Sequence, residues 1–304
     1  MEKPISFFKY TGAHGGRLLL ENQTLKWSRP SEFNDPFDCH LDLVIDDLDY
    51  EFVKNELLRK ARCVFDSTVP LDDNNFFNLT ITSLKSKGTD FNSIQKMLEP
   101  LFAEMFESLP NIVQKYESVF QTFMSAYKLL CLSSVVDDNL MWSHYADSHK
   151  GCAFEFRSSD QNSPYNEAKA VSYPELAPVY FDANKVVNLM CGDFSEDYLD
   201  MIHKCIYTKS RDWDYEKEWR VSLGDGRTPS EPFEFLPFGE RELHGVYLGC
   251  KMPDADYKDQ KGEKLFGKTS LVKLIREKYP QAKIYQAKKI YGKRVVEFEE
   301  LKVK

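Results

Sequence analysis

The stretch DWDYEKEWRVS, residues 212–222, places two acids two positions apart among large aromatic rings. Side chains two positions apart share one face of a β-strand, so Glu216, Glu218 and Arg220 are predicted to project together. The residues between them would then face the opposite side. Two neighbouring carboxylates repel each other unless each has a hydrogen-bond donor or a positive partner, and Arg220 supplies one such partner.

This row of charges has two interpretations. It can be an edge strand whose ion pairs lie in water. Alternatively, a fixed carboxylate can stabilise the oxocarbenium-like transition state that forms when a bond to C1 of a sugar breaks. A carboxylate can also hold a ribose hydroxyl, and neighbouring rings can stack on nicotinamide or adenine. The segment therefore predicts either a salt-bridged surface strand or a site for a nucleotide sugar.

The composition indicates a globular protein. The chain has 304 residues, of which 42% are hydrophobic, enough for a sizeable core. It contains no apolar run of about 18 residues, and its N-terminus lacks the layout of a signal peptide. Its seven cysteines form no CxxC pair. Free thiols in a reducing compartment are the simplest interpretation, so we expect a cytoplasmic protein without a membrane partner.

Charge is spread unevenly along the chain. The net charge is −8, yet residues 251–304 carry 15 Lys and Arg against 8 Asp and Glu. The acidic body argues against broad coating of nucleic acid. The basic C-terminal part can be a local phosphate-binding face or a solvated surface of lysine-rich helices, and both interpretations stay open.

The hydrophobic pattern predicts an α+β protein in which strands flank a helical insertion. Apolar residues recur at helical spacing through residues 48–130, with separate helices expected at 91–108 and 111–130 and a kink or restart at Pro100. We predict a single domain, 1–304, with this insertion. Strands are expected at 5–10, around 25–27, and at 129–135, 152–156, 216–223, 245–250 and 294–301.

Three segments combine polar, aromatic and turn residues at the edges of predicted strands, where sites are often built. They are WSRPSEFNDPFD (27–38), LSSVVDDNLMWSHYADSHKG (132–151) and KSRDWDYEKEWR (209–220). In the first, Asn34, Asp35 and Asp38 can hold ribose hydroxyls or an acceptor. The same residues can instead cap a turn beside Pro36.

The second and third segments offer further contacts for a nucleotide. Trp142, His144 and Tyr145 are candidates, although His144 can also be a hydrogen-bonded core histidine. His144 and His149 are five residues apart, which does not suit a shared metal. Lys209, with Arg211, can receive a diphosphate or can pair with the nearby acids.

Three blocks carry a resemblance to a bacterial family known chiefly as a domain of unknown function. They are FNDPFD (33–38), MWSHYADSHKG (141–151) and W-x-YEKEWR (213–220). The resemblance covers most of the chain apart from the helical insertion, and it implies no activity.

The order of elements also resembles the ADP-ribosyltransferase fold, with its mixed or antiparallel sheet core, and especially the DNA-modifying toxin branch. The matching pieces are FFKYT followed by GGRLLLENQTLKWS, then LCLSS, EKEWRV and GVYLGC. The resemblance implies that NAD is the substrate and that Glu218 is the catalytic acid, with Glu216 as its helper.

The same resemblance assigns the remaining contacts to NAD. Ser134 would be the hydroxyl of the middle motif. The first strand has no clear His or Arg at its end, so Tyr10, with Lys9, would make the first-motif contact. Independently of this resemblance, Lys209 and Arg220 are expected among the cofactor-binding residues because of their charge.

Three functions follow as hypotheses. The first is an NAD-dependent ADP-ribosyltransferase-like enzyme, a defence or toxin effector that modifies nucleic acid or protein. The second is a metal-dependent nuclease or phosphoesterase in which Asp35, Asp38, Glu216 and Glu218 collect Mg²⁺. The third is a non-enzymatic module that binds a nucleotide or a partner protein in an aromatic cleft.

Overall fold

The computed structural model describes residues 2–40, 48–68, 75–175, 182–193, 198–224, 231–258, 262, 264–292 and 295–302. These residues divide into two compact units. The sheet unit comprises Met1–Cys39, Met124–Leu176 and Ile206–Lys304. The helical unit comprises His40–Phe123 and Ala177–Cys205.

The elements follow one another in the order β1-α1-β2-α2-α3-α4-β3-α5-β4-β5-α6-α7-β6-β7-β8-β9-β10-α8-β11-β12. The strands are β1 Phe7–Thr11, β2 Thr24–Ser28, β3 Lys128–Ser133, β4 Cys152–Phe156, β5 Lys169–Ala170, β6 Glu218–Leu223, β7 Phe233–Pro237, β8 Leu243–Leu248, β9 Tyr257–Lys258, β10 Lys264–Leu265, β11 Lys283–Ile290 and β12 Val295–Glu300. The helices are α1 Ala13–Asn22, α2 Tyr50–Phe65, α3 Phe76–Ser86, α4 Phe91–Met124, α5 Asn139–Tyr145, α6 Ala183–Met190, α7 Tyr198–Ile206 and α8 Lys268–Lys278.

The helical unit is built from α2, α3 and α6 with most of α4 and α7. Side-chain caps fix where its helices begin: Asp49 Oδ1 accepts from the amide of Glu51 at 2.9 Å, and Asn75 Oδ1 accepts from the amide of Asn78 at 3.1 Å. Such caps satisfy amides that have no partner inside the first helical turn. Helices thus occupy most of the block that the sequence predicts to be helical.

Helix α4 corrects one part of that prediction. It is continuous from Phe91 to Met124 and contains both Pro100 and Pro110, so the expected division into two helices is wrong. Each proline removes only one backbone hydrogen bond. The buried side chains of Phe102, Leu109 and Val113 continue one apolar face past both prolines. The predicted helical block also ended too late, because β3 already begins at Lys128.

The sheet unit contains a large, mostly antiparallel sheet. Its main path runs β12-β11-β8-β4-β1-β3-β2-β7, and β6 joins it by pairing with β3 and β5. Among the described pairings of this sheet, β8 with β11 is parallel and the others are antiparallel. The predicted α+β class is confirmed.

Strand β3 has different partners along its two edges. One edge pairs with β6 along its whole length, from Lys128 opposite Leu223 to Ser133 opposite Glu218. The other edge meets β1 at Ser133 and β2 at Leu129. Strands β1 and β2 therefore diverge over the middle of β3, and a gap opens between them at Cys131.

The apolar faces of these elements pack into the core of the sheet unit. Trp219 and Val221 of β6 lie in it with Leu130 and Leu132 of β3, and Leu271 of α8 belongs to the same cluster. The alternate residues of β3 and β6 consequently face away from this core. Within the part of the chain that the structure describes, no helix has the length and apolar character needed to cross a membrane.

We expect Gly249→Ala to lower the free energy of unfolding by about 1–3 kcal/mol. A β-carbon on Gly249 would lie 2.1 Å from the carbonyl oxygen of His149, and backbone cannot move aside as a flexible side chain can. Gly239→Ala is the matched control, because its nearest new neighbour is a side-chain atom of Glu242 at 3.4 Å. Urea denaturation compares the two variants, and equal midpoints would contradict the prediction.

Candidate functional site

A cleft of about 1120 Å³ lies in the sheet unit where β1 and β2 diverge over β3. Residues of β1, α1 and β2 line one side, including Lys9, Tyr10 and Lys26. Cys131 and Ser133 of β3 also line it. The remaining lining comes from the 33–38 loop, α5 and the segment around the two glutamates. The volume is slightly above the roughly 300–1,000 Å³ that is usual for ligand pockets.

The arrangement of the two glutamates differs in part from the prediction. Glu218 begins β6, but Glu216 ends a 3₁₀ helix, Arg211–Glu216, and does not share a strand with it. Lys217 between them adopts φ 45°, in the left-handed region. Both carboxylates still line the cleft. They meet there because of this turn and not because of strand alternation.

Arg220 lies behind the acids and is fully buried. Its Nε and Nη2 donate to the two oxygens of Glu218, each at 2.8 Å. Its Nη1 and Nη2 donate to Asp38 at 2.9 and 2.6 Å, and Nη1 also donates to the carbonyl of Ile206 at 2.7 Å. These contacts use all five donors of a guanidinium. The solvated edge-strand interpretation is therefore wrong: Glu218 is 5% exposed and Arg220 is 0% exposed.

Lys209 is the second buried cation of the cluster. Its Nζ lies 2.6 Å from Glu216, 3.4 Å from Asp38 and 3.5 Å from Glu218. It also lies 4.7 Å from the centre of the Trp213 ring. Lys209 thus pairs with acids, which is one of the two roles predicted for it.

The environments of the two glutamates shift their pKa values in opposite directions. Burial raises the pKa of Glu218, but the charge and hydrogen bonds of Arg220, with Lys209, outweigh it and lower that pKa to about 2. Burial and the charge of Glu218 raise the pKa of Glu216, against the opposing effect of Lys209. When the pKa values of two neighbouring carboxyl groups differ in this way, one group can act as a fixed negative charge and the other can accept or donate a proton.

Helix α5 brings aromatic and imidazole groups to the acids. The Tyr145 hydroxyl donates to Glu216 Oε1 at 2.5 Å and accepts from the Asn34 side-chain amide at 3.4 Å. His144 Nδ1 lies 3.0 Å from the Tyr215 hydroxyl. Burial, followed by the charge of Glu216, raises the pKa of Tyr145, so its hydroxyl stays protonated and remains a donor.

The first strand contributes two of the predicted contacts. Lys9 Nζ donates to the carbonyl of Cys131 at 2.9 Å, which places an ammonium group in the gap between β1 and β2. The Tyr10 hydroxyl donates to the carbonyl of Val135 at 3.0 Å. Both residues line the cleft, as do Glu216 and Glu218.

The predicted middle-motif serine is not among the residues that line the cleft. Ser134 donates through both its amide and its hydroxyl to the carbonyl of Lys217, each at 3.1 Å. The residue before it, Ser133, lines the cleft and donates to the carbonyl of Glu216 at 2.7 Å. These two serines hold the turn that carries the glutamates.

Three other predicted residues lie close to the cleft but not among the residues that line it. The Trp142 ring is fully buried and its Nε1 donates to the carbonyl of Val136 at 2.7 Å, so it is a core residue. Asp35 Oδ1 accepts from the amide of Phe37 at 2.9 Å, which is the turn-capping role left open above. Arg220 acts through the carboxylates in front of it. The structure thus brings together Lys9, Tyr10, Asn34, Asp38, His144, Tyr145, Lys209, Glu216 and Glu218.

Sequence reasoning missed Ser133, Cys131, Lys26 and Tyr173. The Tyr173 hydroxyl accepts from the amide of Glu218 at 2.9 Å, at the start of β6. The first two could have been found from alternation, because Leu130 and Leu132 are apolar and must face the core. Residues 131 and 133 then face the cleft. No local pattern marks Tyr173.

Part of the chain is similar to a known protein family. Residues 141–221 match a family described as a protein of unknown function (DUF2971). This segment runs from α5 to β6 and includes both glutamates, Lys209 and Arg220. No curated protein matches the chain, and no solved structure matches it. The resemblance to a domain of unknown function is thereby confirmed for this segment, and the block at 33–38 lies outside it.

We expect Arg220→Met to destabilise the protein by about 3–5 kcal/mol, because two buried carboxylates lose their main partner. The control is Arg59→Met, since the pair of Arg59 with Glu56 lies in water, with 61% and 28% of the two side chains exposed. That change should leave the urea midpoint close to that of the wild type, because an ion pair in water contributes little to stability. Urea denaturation measures both, and a wild-type midpoint for Arg220→Met would refute the prediction.

Low pH should lower the free energy of unfolding through protonation of Glu218. Its pKa is about 2 in the folded chain and 4.5 ordinarily. Its contribution to stability is therefore complete above about pH 4.5 and is lost as the pH falls towards 2. Glu216 contributes with the opposite sign, since its folded pKa is raised.

Unfolding free energies measured between pH 2 and 6 test this prediction. As the pH falls from 6 to 2, the free energy of unfolding should decrease less in Glu218→Gln than in the wild type. In Glu216→Gln the decrease should still occur. Parallel curves for the wild type and Glu218→Gln would show that Glu218 is not the group responsible.

Proposed function

We propose that the cleft binds NAD and that the protein transfers ADP-ribose from it to an acceptor. The observation that carries the proposal is the Glu218 carboxylate, held ionised by Arg220 and Lys209, in a cleft of nucleotide size. The resemblance of the β1, β3 and β6 segments to the ADP-ribosyltransferase fold supports the same assignment. The acceptor would lie on nucleic acid or protein, as expected for a defence or toxin effector.

The chemistry suits this pair of acids. The bond between C1 of the ribose and nicotinamide breaks, and its electron pair leaves with nicotinamide. The ribose develops positive charge, which the fixed negative charge of Glu218 stabilises. The acceptor then bonds to C1, and Glu216, whose pKa is raised, takes the proton that the acceptor releases.

The neighbouring groups support these roles. Hydrogen bonds from Tyr145 and Lys209 orient the Glu216 carboxylate. An ionised carboxylate can accept about four hydrogen bonds, so these two leave room for one from the acceptor. Glu218 is oriented by Arg220 from behind. Lys9 lies on the opposite side of β3 from both acids, where its ammonium group can bind the phosphates of a nucleotide.

The geometry favours this proposal over the metal-dependent alternative. Asp35 caps a turn, and the other three acids of that hypothesis are already paired with Arg220 and Lys209. Across the described ranges, no group of three or more His, Cys, Asp or Glu residues is arranged to hold a metal ion.

The test is release of nicotinamide from NAD by the purified protein, measured by chromatography with nucleic-acid and protein acceptors. Glu218→Gln keeps the shape of the side chain and removes its charge, so we expect turnover to fall by about 100-fold or more. Glu155→Gln is the control, because Glu155 of β4 is a buried acid paired with Arg157 and does not line the cleft. It should leave turnover within about twofold of the wild type.

Each outcome separates the hypotheses. Full turnover in Glu218→Gln would refute the proposed role of that residue. Calorimetric binding of NAD without nicotinamide release, with every acceptor, would favour the binding module. Circular dichroism of each variant establishes that it is folded before its activity is compared.

A further inference from the structure

A second group of reactive side chains lies apart from the cleft. It consists of Ser143 on α5, His149 in the loop after α5, and Cys250 after β8. None of these three lines the cleft described above. Cys250 is partly exposed, whereas Cys39, Cys152, Cys191 and Cys205 are buried.

Hydrogen bonds define which nitrogen of His149 carries a proton. The Ser143 hydroxyl donates to the carbonyl of Asn139 at 2.8 Å, so its oxygen is left to accept. His149 Nε2 lies 3.2 Å from that oxygen and is therefore the protonated nitrogen. The lone pair of Nδ1 then faces Cys250 Sγ, 3.7 Å away. A base and a thiol are thus in direct hydrogen-bond contact.

The imidazole is held from several sides. The amide of His149 donates to the carbonyl of Trp142 at 3.1 Å, and its own carbonyl accepts from the amide of Lys251 at 3.0 Å. Its ring stacks on Trp142, with 6.3 Å between centroids and 15° between planes. These contacts fix the direction in which Nδ1 points, which a residue that merely fills space would not require.

The charges around the pair also favour reaction. Burial lowers the pKa of His149, and the positive charges of Lys251 and Lys289 lower it further. The imidazole is therefore neutral at pH 7 and free to accept a proton. The same two ammonium groups attract an anionic reactant.

We propose that Cys250 is a nucleophilic thiol, activated by His149, that exchanges with small anionic disulfides. His149 Nδ1 takes the thiol proton, and the thiolate sulfur attacks one sulfur of the incoming disulfide. A new sulfur–sulfur bond forms as the old one breaks, and the displaced thiolate leaves with the proton from His149. Cys250 becomes a mixed disulfide, and the exchange needs no other oxidant.

The experiment measures mixed-disulfide formation with glutathione disulfide at pH 7, resolved for each cysteine by peptide mass spectrometry. Cys63, the partly exposed cysteine of α2, is the internal control because it lies in the same chain. We expect Cys250 to react at least about tenfold faster than Cys63. The uncharged disulfide of 2-mercaptoethanol should show a smaller preference for Cys250.

Two variants test the role of His149. His149→Asn removes the base and tolerates the left-handed backbone at this position, φ 71°. It should bring the rate of Cys250 down to that of Cys63. Ser143→Ala, at an exposed position, should lower the rate part of the way, since Nε2 loses its acceptor. Equal rates for Cys250 and Cys63 in the wild type, or an unchanged Cys250 rate in folded His149→Asn, would overturn the proposal.

Discussion

The Arg220 guanidinium joins parts of the chain that are far apart in sequence. It binds Asp38 from the loop after β2, the carbonyl at the end of α7, and Glu218 on its own strand. A buried charge is costly unless every donor finds a partner, and here all five do. Lysine could not replace it, because a single ammonium cannot hold two carboxylates in this planar arrangement. Asp38, Glu218 and Arg220 therefore constrain one another.

This cluster explains why the cleft has opposite charges on its two sides. Strand β6 carries Glu218 along one edge of β3, with Glu216 just before it in the 3₁₀ helix, and β1 carries Lys9 along the other edge. Neighbouring strands are about 4.8 Å apart, so the two edges are separated by roughly 10 Å. A ligand that spans β3 meets an ammonium on one side and carboxylates on the other. A nucleotide whose phosphates and reacting sugar are separated along its length matches this pattern.

The positions of β1, β2, β3, β4, β6, β8 and β12 could be predicted from the sequence because they depend on local patterns, whereas β7 and β11 were missed. Trp219 lies on the face opposite the charged residues, as predicted, and packs into the core with Val221, Leu130 and Leu132. The choice of Ser134 over Ser133 failed because it followed a motif and not the alternation of the strand. The prediction of two helices at α4 failed for another reason. A proline weakens a helix locally, but burial of the apolar face stabilises the helix along its whole length.

The opposite pKa shifts of the two glutamates could not be predicted, since as an i, i+2 pair they were expected to share one face of a strand. The distinction arises at Lys217, whose left-handed backbone ends the 3₁₀ helix and starts β6. A non-glycine residue adopts that conformation only where its surroundings hold it. Here Ser134 donates a hydrogen bond to the carbonyl of Lys217, and the amide of Lys217 donates to the backbone carbonyl of Asp214. Glu218 is thereby directed to Arg220 and stays ionised, whereas Glu216 meets a phenol and one ammonium and holds its proton more tightly. One strained residue thus gives two identical side chains the different chemistry on which the proposed transfer depends.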